Sequence, residues 1–470
     1  MRRTKIVCTI GPASDDPIVL TDMIQAGMDV ARINFSHGTS GEHADRINRI
    51  RTLAHALGRN VGILGDLAGP KLRTGNMTKE SVVLKAGDPF RLTSEPIEGD
   101  WRTASVSFPG LSDAVKPGET ILLNDGAIDL IVEAVTAHAV ETRVRVGGVL
   151  GSHKGVNIPG RSLAIEALTA KDRDDIAFAV KHNLDWLALS FVRRPEDVRL
   201  AQQCVQQCGG QVPLIAKVEK REATEALDLI LQESEGVMVA RGDLGVEVNL
   251  EDVPFLQKMI LAHALEHEVP SITATHMLES MVESARPTRA EATDVATAVL
   301  DGTDAVMLSE ETARGRFPVE AVRTMARIAE RAERHLDHAR FMNVGTQNPG
   351  VASAVARAAC ALASEVGATA IIVPTSGGTT PMQVSRRRPA QPIVAFTQDE
   401  RVRRRLALVW GTVALDVSTP SPTDEVIGVC VEAARSAGLV AVGDVVVATG
   451  GSSTGHTGGP RNLIEVIRVR

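Results

Sequence analysis

Tyrosine is absent from all 470 residues, and Phe and Trp number only 9 and 3. No phenol is available as nucleophile or acid–base group. The chemistry must come from Lys, Arg, Asp, Glu, Ser, Thr, His or Cys. So few rings also disfavour the stacked-base surfaces of single-strand nucleic-acid binders. A basic excess is missing too: 51 Lys and Arg face 58 Asp and Glu, a net charge of −7. Nucleic-acid binders show the opposite balance. The cysteines (Cys8, Cys204, Cys208, Cys360 and Cys430) are odd in number, scattered and without a CxxC pair. Neither a zinc knuckle nor a disulfide framework is favoured, and Cys204 and Cys208 read as ordinary helix positions. No apolar run approaches the ~18 residues of a membrane span, and no signal-peptide core follows the basic start MRRTKIVCTIGPAS. The expectation is a reduced, soluble, cytoplasmic protein with neither a nucleic-acid nor a membrane partner.

What is present is alternation. Short apolar runs start at Lys5, Val30, Val61, Trp186, Pro213, Gly236, Ser271 and Ala305, each ending in a polar or glycine-rich turn. Helical patterns such as Pro17–Ala26, Glu42–Leu57 and Ala170–Asn183 lie between them. Buried strands alternating with amphipathic helices indicate a parallel α/β sheet, and the tally matches a (β/α)8 TIM barrel better than an open sheet. Between Arg73 and Gly155 the pattern changes to period-two strands with tight turns at Lys116-Pro117-Gly118 and Asn124-Asp125-Gly126. This predicts a small β-barrel domain inserted after the third barrel strand. After a break near FMNVGTQNPG, helix and strand alternate again, with helices at Val351–Val366 and Thr380–Arg388 and strands from Ala370, Ile393, Val413 and Val445. The expected organisation is a discontinuous catalytic barrel (1–72 and 156–342), an inserted lid domain (73–155) and a C-terminal doubly wound α/β domain (343–470).

In such a barrel, active sites lie at the C-terminal strand ends. Strand two ends in Arg32, Asn34, Ser36 and His37. Strand three ends in Asp66, followed by Lys71 and Arg73. Strand five supplies Lys217 and Glu219, and strand six is followed by Arg241, Gly242 and Asp243. Strand seven ends in Thr275 and His276, and strand eight in Ser309 and Glu311. Polar residues at so many strand ends are hard to explain as packing. Glu219 and Asp243 suit a hard divalent cation, which takes one or two carboxylates plus water and phosphate oxygens. Arg32, Lys71, Arg73 and Lys217 around it form the equipment for stabilising a phosphoryl group in transfer. The backbone around Gly242 could face an anion. Salt-bridged rim pairs, Lys217–Glu219 and Arg241–Asp243, are the competing structural reading.

Long segments go further: TKIVCTIGPAS (4–14), ARINFSHG (31–38), GVNIPG (155–160), MVARGDLGVE (238–247), MLESM (277–281) and RPTRAEATDVATAVLDGTDAVMLSEETARG (286–315). In these the chain resembles the pyruvate kinase family from end to end. The resemblance implies phosphoenolpyruvate and ADP as substrates and pyruvate and ATP as products, the last step of glycolysis. It implies that Lys217 neutralises the phosphoryl group in flight and Arg32 holds the substrate phosphate. Glu219 and Asp243 would bind Mg²⁺ or Mn²⁺, and Gly242, Asp243 and Thr275 would seat the carboxylate. Asn34, His37, Arg73 and Lys154 would contact the nucleotide, with Lys154 carried in on the lid. Thr275, Ser309 and Glu311 would form a proton chain through water. A homotetramer is implied as well.

The third strand departs from the common DTKGPEIR of the family, reading Asp66-Leu67-Ala68-Gly69-Pro70-Lys71-Leu72-Arg73. Lys71 stands where Glu is usual. In potassium-requiring members K⁺ sits near the counterparts of Asn34, Ser36, Asp66 and Leu67; a lysine ammonium there supplies that charge covalently and repels a second cation. K⁺ is therefore expected not to be required. His153, His276 and Glu310 are smaller departures. In the C-terminal domain, Thr375-Ser376-Gly377-Gly378-Thr379-Thr380 resembles the family's effector loop, with Thr449–Gly459 as its partner. Regulation by a sugar phosphate or nucleotide monophosphate is expected. Two rivals are another metal-dependent barrel enzyme acting on pyruvate or phosphoenolpyruvate, and a catalytically silent metabolite sensor.

Overall fold

The computed structural model describes residues 2–161, 165–345, 347, 350–417, 423–452 and 461–470. The apolar runs form a closed, all-parallel barrel of strands Lys5–Thr9, Val30–Asn34, Gly62–Asp66, Trp186–Leu189, Leu214–Val218, Gly236–Ala240, Ser271–Ala274 and Ala305–Leu308, taken below as strands one to eight. Their residues are almost all buried because the barrel interior covers one face and the helices the other. The helices start where side chains can satisfy free N–H groups. Thr39 with Glu42, Thr169 with Asp172 and Thr288 with Glu291 form capping boxes, and Asp16 with Pro17 opens Pro17–Ala26. The helix expected over Ala170–Asn183 stops at Lys181, because Asn183 turns left-handed (φ 50°) and closes it.

The insert between strands three and four folds as a six-stranded sheet plus a two-stranded pair, Ser81–Leu84 with Gly148–Gly151. Both contribute to one apolar core that includes Leu84, Phe90, Leu123, Leu130 and Leu150. The C-terminal sheet has the spatial order Thr412–Leu415, Ile393–Phe396, Ala370–Pro374, Val445–Ser452, Arg461–Arg468; the first four are parallel and the last is antiparallel. That final strand, RNLIEVIR, is not among the strands expected from the sequence. The helix expected over Thr380–Arg388 runs Thr379–Ser385. Pro389 disfavours helical backbone before it, and Arg388 turns to φ 45°.

That turn docks the C-terminal domain on the barrel. Arg388, fully buried, donates to Asp304 Oδ2 at 2.9 Å, just before strand eight begins. Lys5 Nζ donates to the Thr412 carbonyl at 2.7 Å. Leu408 joins the core inside the barrel with Val7, Leu64, Met238 and Met307. The C-terminal domain therefore plugs the N-terminal end of the barrel and leaves the opposite rim open. Among the described residues, no helix is long and apolar enough to cross a membrane, and the five cysteines are free.

Candidate active site

The open rim is organised around Asp66, the last residue of strand three. Its carboxylate accepts from Arg32 Nε at 2.6 Å and from Lys217 Nζ at 3.1 Å. Lys217 also reaches Ser190 Oγ at 2.7 Å and Glu219 Oε1 at 2.8 Å. Strands two, three, four and five thus converge on one cluster, and the Asp66 and Glu219 side chains are only 2% and 1% exposed. Burial alone would push the Lys217 ammonium down, but Asp66 and Glu219 outweigh it and hold it above its ordinary value. Burial likewise favours a neutral Asp66, yet Arg32 and Lys217 reverse that and hold it below the usual carboxylate range. Both lysine and aspartate stay charged.

Strands one and four, to which the sequence reading assigned no rim residue, each contribute one. Thr9 Oγ1 accepts from Arg32 Nη1 at 2.9 Å, and Ser190 orients Lys217 while donating to the Leu67 carbonyl at 2.7 Å. Their signal was present: a hydroxyl at the end of a buried apolar run.

Glu219 Oε2 accepts from the Phe191 N–H at 2.8 Å. Burial pushes Glu219 up, Lys217 opposes this, and the charge of Asp243 adds to the rise. A divalent cation between the two carboxylates would relieve that repulsion. Among the described residues no group of three or more His, Cys, Asp or Glu is placed to cage a metal. The donor set fits Mg²⁺, which binds through one or two carboxylates and completes its shell with water and substrate oxygens. It does not fit a structural zinc site.

Lys71 does not sit with Asp66, as the comparison with the potassium site implied. Its ammonium donates to Asp243 Oδ1 at 3.1 Å and to Asp125 Oδ1, from the insert, at 3.0 Å. Burial would lower Lys71, but Asp243 and Asp125 raise it. The reason for the displacement is electrostatic: Arg32 and Lys217 already satisfy Asp66, whereas among the described residues Lys71 is the cation paired with Asp243 and Asp125.

Strand six runs straight into the helix Arg241–Glu247. Arg241 points away from Asp243; its guanidinium donates to Thr275 O at 2.6 Å and Asp294 Oδ1 at 2.7 Å. It thereby braces Thr275 and His276, which both adopt left-handed backbone (φ 67° and 55°). For residues with a Cβ such backbone is costly and is held only by its surroundings. The Gly242 N–H donates to Thr275 Oγ1 at 2.8 Å, and that hydroxyl donates to Ala274 O at 2.7 Å. Of the three expected carboxylate-binding groups, Gly242 and Thr275 are therefore joined to each other, with Asp243 next along the helix.

Glu311 accepts from the N–H groups of Ser309 at 2.6 Å and Leu278 at 3.0 Å. Burial pushes its carboxyl up. Among the described residues no hydrogen bond links this pair to Thr275. Glu310 pairs instead with Arg314. Of the expected nucleotide contacts, His37 is exposed at the rim near Asn34, whose Oδ1 accepts from the N–H of Ser36, a residue of the expected potassium site, at 3.1 Å. Arg73 Nη1 donates to His153 O at 3.0 Å, and Lys154 is exposed next to it, its backbone paired with Thr74. In the C-terminal domain, Thr375 Oγ1 accepts from Gly378 N at 3.0 Å, Ser376 and Gly377 are exposed, and Thr379 and Thr380 open the short helix. Of the partner loop, Thr449–Ser452 end a strand and residues 453–459 lie outside the described residues.

Comparison with known proteins agrees with this geometry. The barrel-domain model of pyruvate kinase matches residues 1–322, and its alpha/beta-domain model matches residues 353–467. Pyruvate kinase 2 of Synechocystis is 46% identical over 473 residues, covering all of this chain and 80% of that protein. The pyruvate kinase of Thermotoga maritima is 41% identical over 471 residues, covering both chains in full. A crystal structure of a pyruvate kinase from Cryptosporidium parvum superposes with a TM-score of 0.94 at 36% identity, covering all of this chain and 96% of that one. With barrel, insert and C-terminal domain matched together, the chain belongs to the pyruvate kinase family.

Proposed function

We propose that this rim catalyses Mg²⁺-dependent phosphoryl transfer from phosphoenolpyruvate to ADP, and that it does so without K⁺. The observation that carries the reading is the buried Arg32–Asp66–Lys217–Glu219 network. Two cations are fixed there in their charged state, at the strand ends where an anionic substrate can reach them. Glu219 and Asp243 would hold Mg²⁺ (or Mn²⁺), which when bound supplies positive charge to the substrate oxygens. Lys217, oriented by Ser190, stabilises charge on the phosphoryl group as it moves. Arg32, anchored by Asp66 and Thr9, binds the phosphate. The backbone at Gly242 and Asp243, with Thr275, seats the carboxylate. Asn34, His37, Arg73 and Lys154 approach the nucleotide, and the insert excludes water from the reacting group. Ser309 and Glu311, with Thr275, hold the proton that completes pyruvate. The raised Glu311 carboxyl suits that role.

K⁺ independence rests in this reading on Lys71 standing where the family usually has Glu, although its ammonium lies at Asp243 and Asp125 and not at Asp66. Activity in sodium or tetramethylammonium buffer should match that in potassium; a large activation by potassium contradicts this point. The effector loop at 375–380 receives a phosphorylated metabolite in this reading, checked by kinetics across a panel of sugar phosphates and nucleotide monophosphates. A cytoplasmic homotetramer completes it. Leu250 and Phe255, 76% and 71% exposed on adjacent turns, offer an apolar subunit contact, and sedimentation gives the assembly state. The whole reading is tested by following pyruvate and ATP formation together.

A further inference from the structure

The contact of Lys71 with Asp125 is explained by none of the roles above. We propose that Asp125 is a positioning residue that holds the Lys71 ammonium between the insert and Asp243, so that cation binding at Asp243 and docking of the insert are coupled. This rests on the assignment of Asp243 as a ligand of the divalent ion.

The contact is built by the local backbone. Asn124 and Asp125 both take left-handed φ of 52°, and Gly126 takes 89°. This turn projects Asp125 out of the insert. It is fixed by Asn124 N donating at 2.9 Å to the carbonyl of Gly155, which leads into the strand Val156–Asn157 of the insert's six-stranded sheet, one strand beyond the expected boundary at 155. A Cβ at Gly155 would stand 2.9 Å from Asp125 Oδ1 and 3.0 Å from Lys71 Cε, so only glycine leaves room for the pair. One further contact seats the insert on the helix Arg241–Glu247, the helix that carries Asp243: Asn157 Nδ2 donates to Glu247 Oε1 at 2.9 Å.

One ammonium is thus shared between a carboxylate of the lid and a carboxylate of the metal site, 3.0 and 3.1 Å away. A divalent cation at Asp243 competes with that ammonium. Asp125 offers Lys71 an alternative partner within reach, so the cation displaces it from Asp243 without stranding a charge. In the same step Lys71 tightens on the lid. With Asp125 neutral, Lys71 falls back on Asp243 and competes harder, and the insert loses a tether.

The test uses Mn²⁺ binding to the full-length enzyme, read by electron spin resonance of free Mn²⁺ without turnover, together with hydrogen exchange of the 124–127 turn and the Arg241–Glu247 helix. Asp125→Asn should weaken Mn²⁺ binding roughly tenfold, in the range for a residue that supports a metal ligand, and should speed exchange in both segments. Lys71→Met should tighten Mn²⁺ binding. In the Lys71→Met background, Asp125→Asn should then change the Mn²⁺ affinity little, because its effect passes through the ammonium. Equal losses in both backgrounds, or unchanged affinity in Asp125→Asn, would overturn the coupling. Absence of Mn²⁺ binding to the wild-type enzyme would overturn the ligand assignment and the coupling with it. Wild-type pyruvate formation, measured in parallel, reports on the phosphoryl-transfer reading separately.

Discussion

Asp66 shows how one residue can determine the state of a whole site. Placed at the end of a buried strand, it would be neutral if left alone; with Arg32 and Lys217 against it, it is a carboxylate that locks both cations in place. The consequence for stability has a definite sign. The folded-state value of Asp66 is depressed, so its stabilisation is present above the ordinary value of 3.8 and is lost as pH falls through the lower folded value. That of Lys217 is raised, so its stabilisation is complete below the ordinary 10.5 and fades as pH rises beyond it. Asp66→Asn should cost about 3–5 kcal/mol at neutral pH, since it leaves buried cations short of a partner. It should also flatten the acid limb of stability. Urea unfolding across a pH series measures both, and an unchanged acid limb would show that Asp66 does not carry it. This network was legible only in part. Each strand-end residue announced itself as a polar side chain after an apolar run. Which charges pair, and that Lys71 turns to Asp243 and Asp125 rather than Asp66, depends on three-dimensional competition among cations that no linear pattern encodes.

At the scale of elements, the helix Arg241–Glu247 links strand seven, Lys71 and the insert. Its first residue braces Thr275, its second donates to Thr275 Oγ1, its third accepts from Lys71, and its last accepts from Asn157 of the insert and from Lys220. Arg241→Ala removes the brace from a left-handed segment. The expected outcome is a folded enzyme destabilised by about 1–3 kcal/mol, with a raised KM for phosphoenolpyruvate. Steady-state kinetics beside thermal unfolding separates the two effects, and an unchanged KM would mean that Thr275 keeps its place unaided. The sequence made this element visible as RGDLGVE after a strand, and the strand–helix alternation gave the barrel directly. Arg241 and Asp243 as an ion pair was the structural alternative; helical geometry instead sends Arg241 back toward strand seven, two residues and most of a turn away from Asp243. The last strand, Arg461–Arg468, is not evident in the sequence because the glycine-rich stretch before it dominates the local pattern.

Taken as a whole, the molecule separates its two ends. The C-terminal domain seals the barrel floor with Leu408 and the buried Arg388–Asp304 pair, while the insert touches the opposite rim through Asp125 and Asn157. Leu408→Ala opens a cavity at that floor and should cost about 2–5 kcal/mol of stability, measured by urea unfolding. Retention of full stability would mean that the two domains are not packed through this residue. The charge distribution follows the same division. A chain with net charge −7 keeps Arg32, Lys71, Arg73 and Lys217 at one rim, so the apparent affinity for anionic substrates should weaken with ionic strength as screening grows. In the proposed mechanism the phosphoryl group is stabilised by Lys217. The decisive measurement is therefore the rate of coupled pyruvate and ATP formation from phosphoenolpyruvate and ADP, with Mg²⁺ in potassium-free buffer, for the wild-type enzyme and Lys217→Met. Turnover by the wild type and its loss by about 10³-fold or more in the variant, with the fold intact by circular dichroism, is the expected result; comparable turnover in both, or none in the wild type, would contradict it.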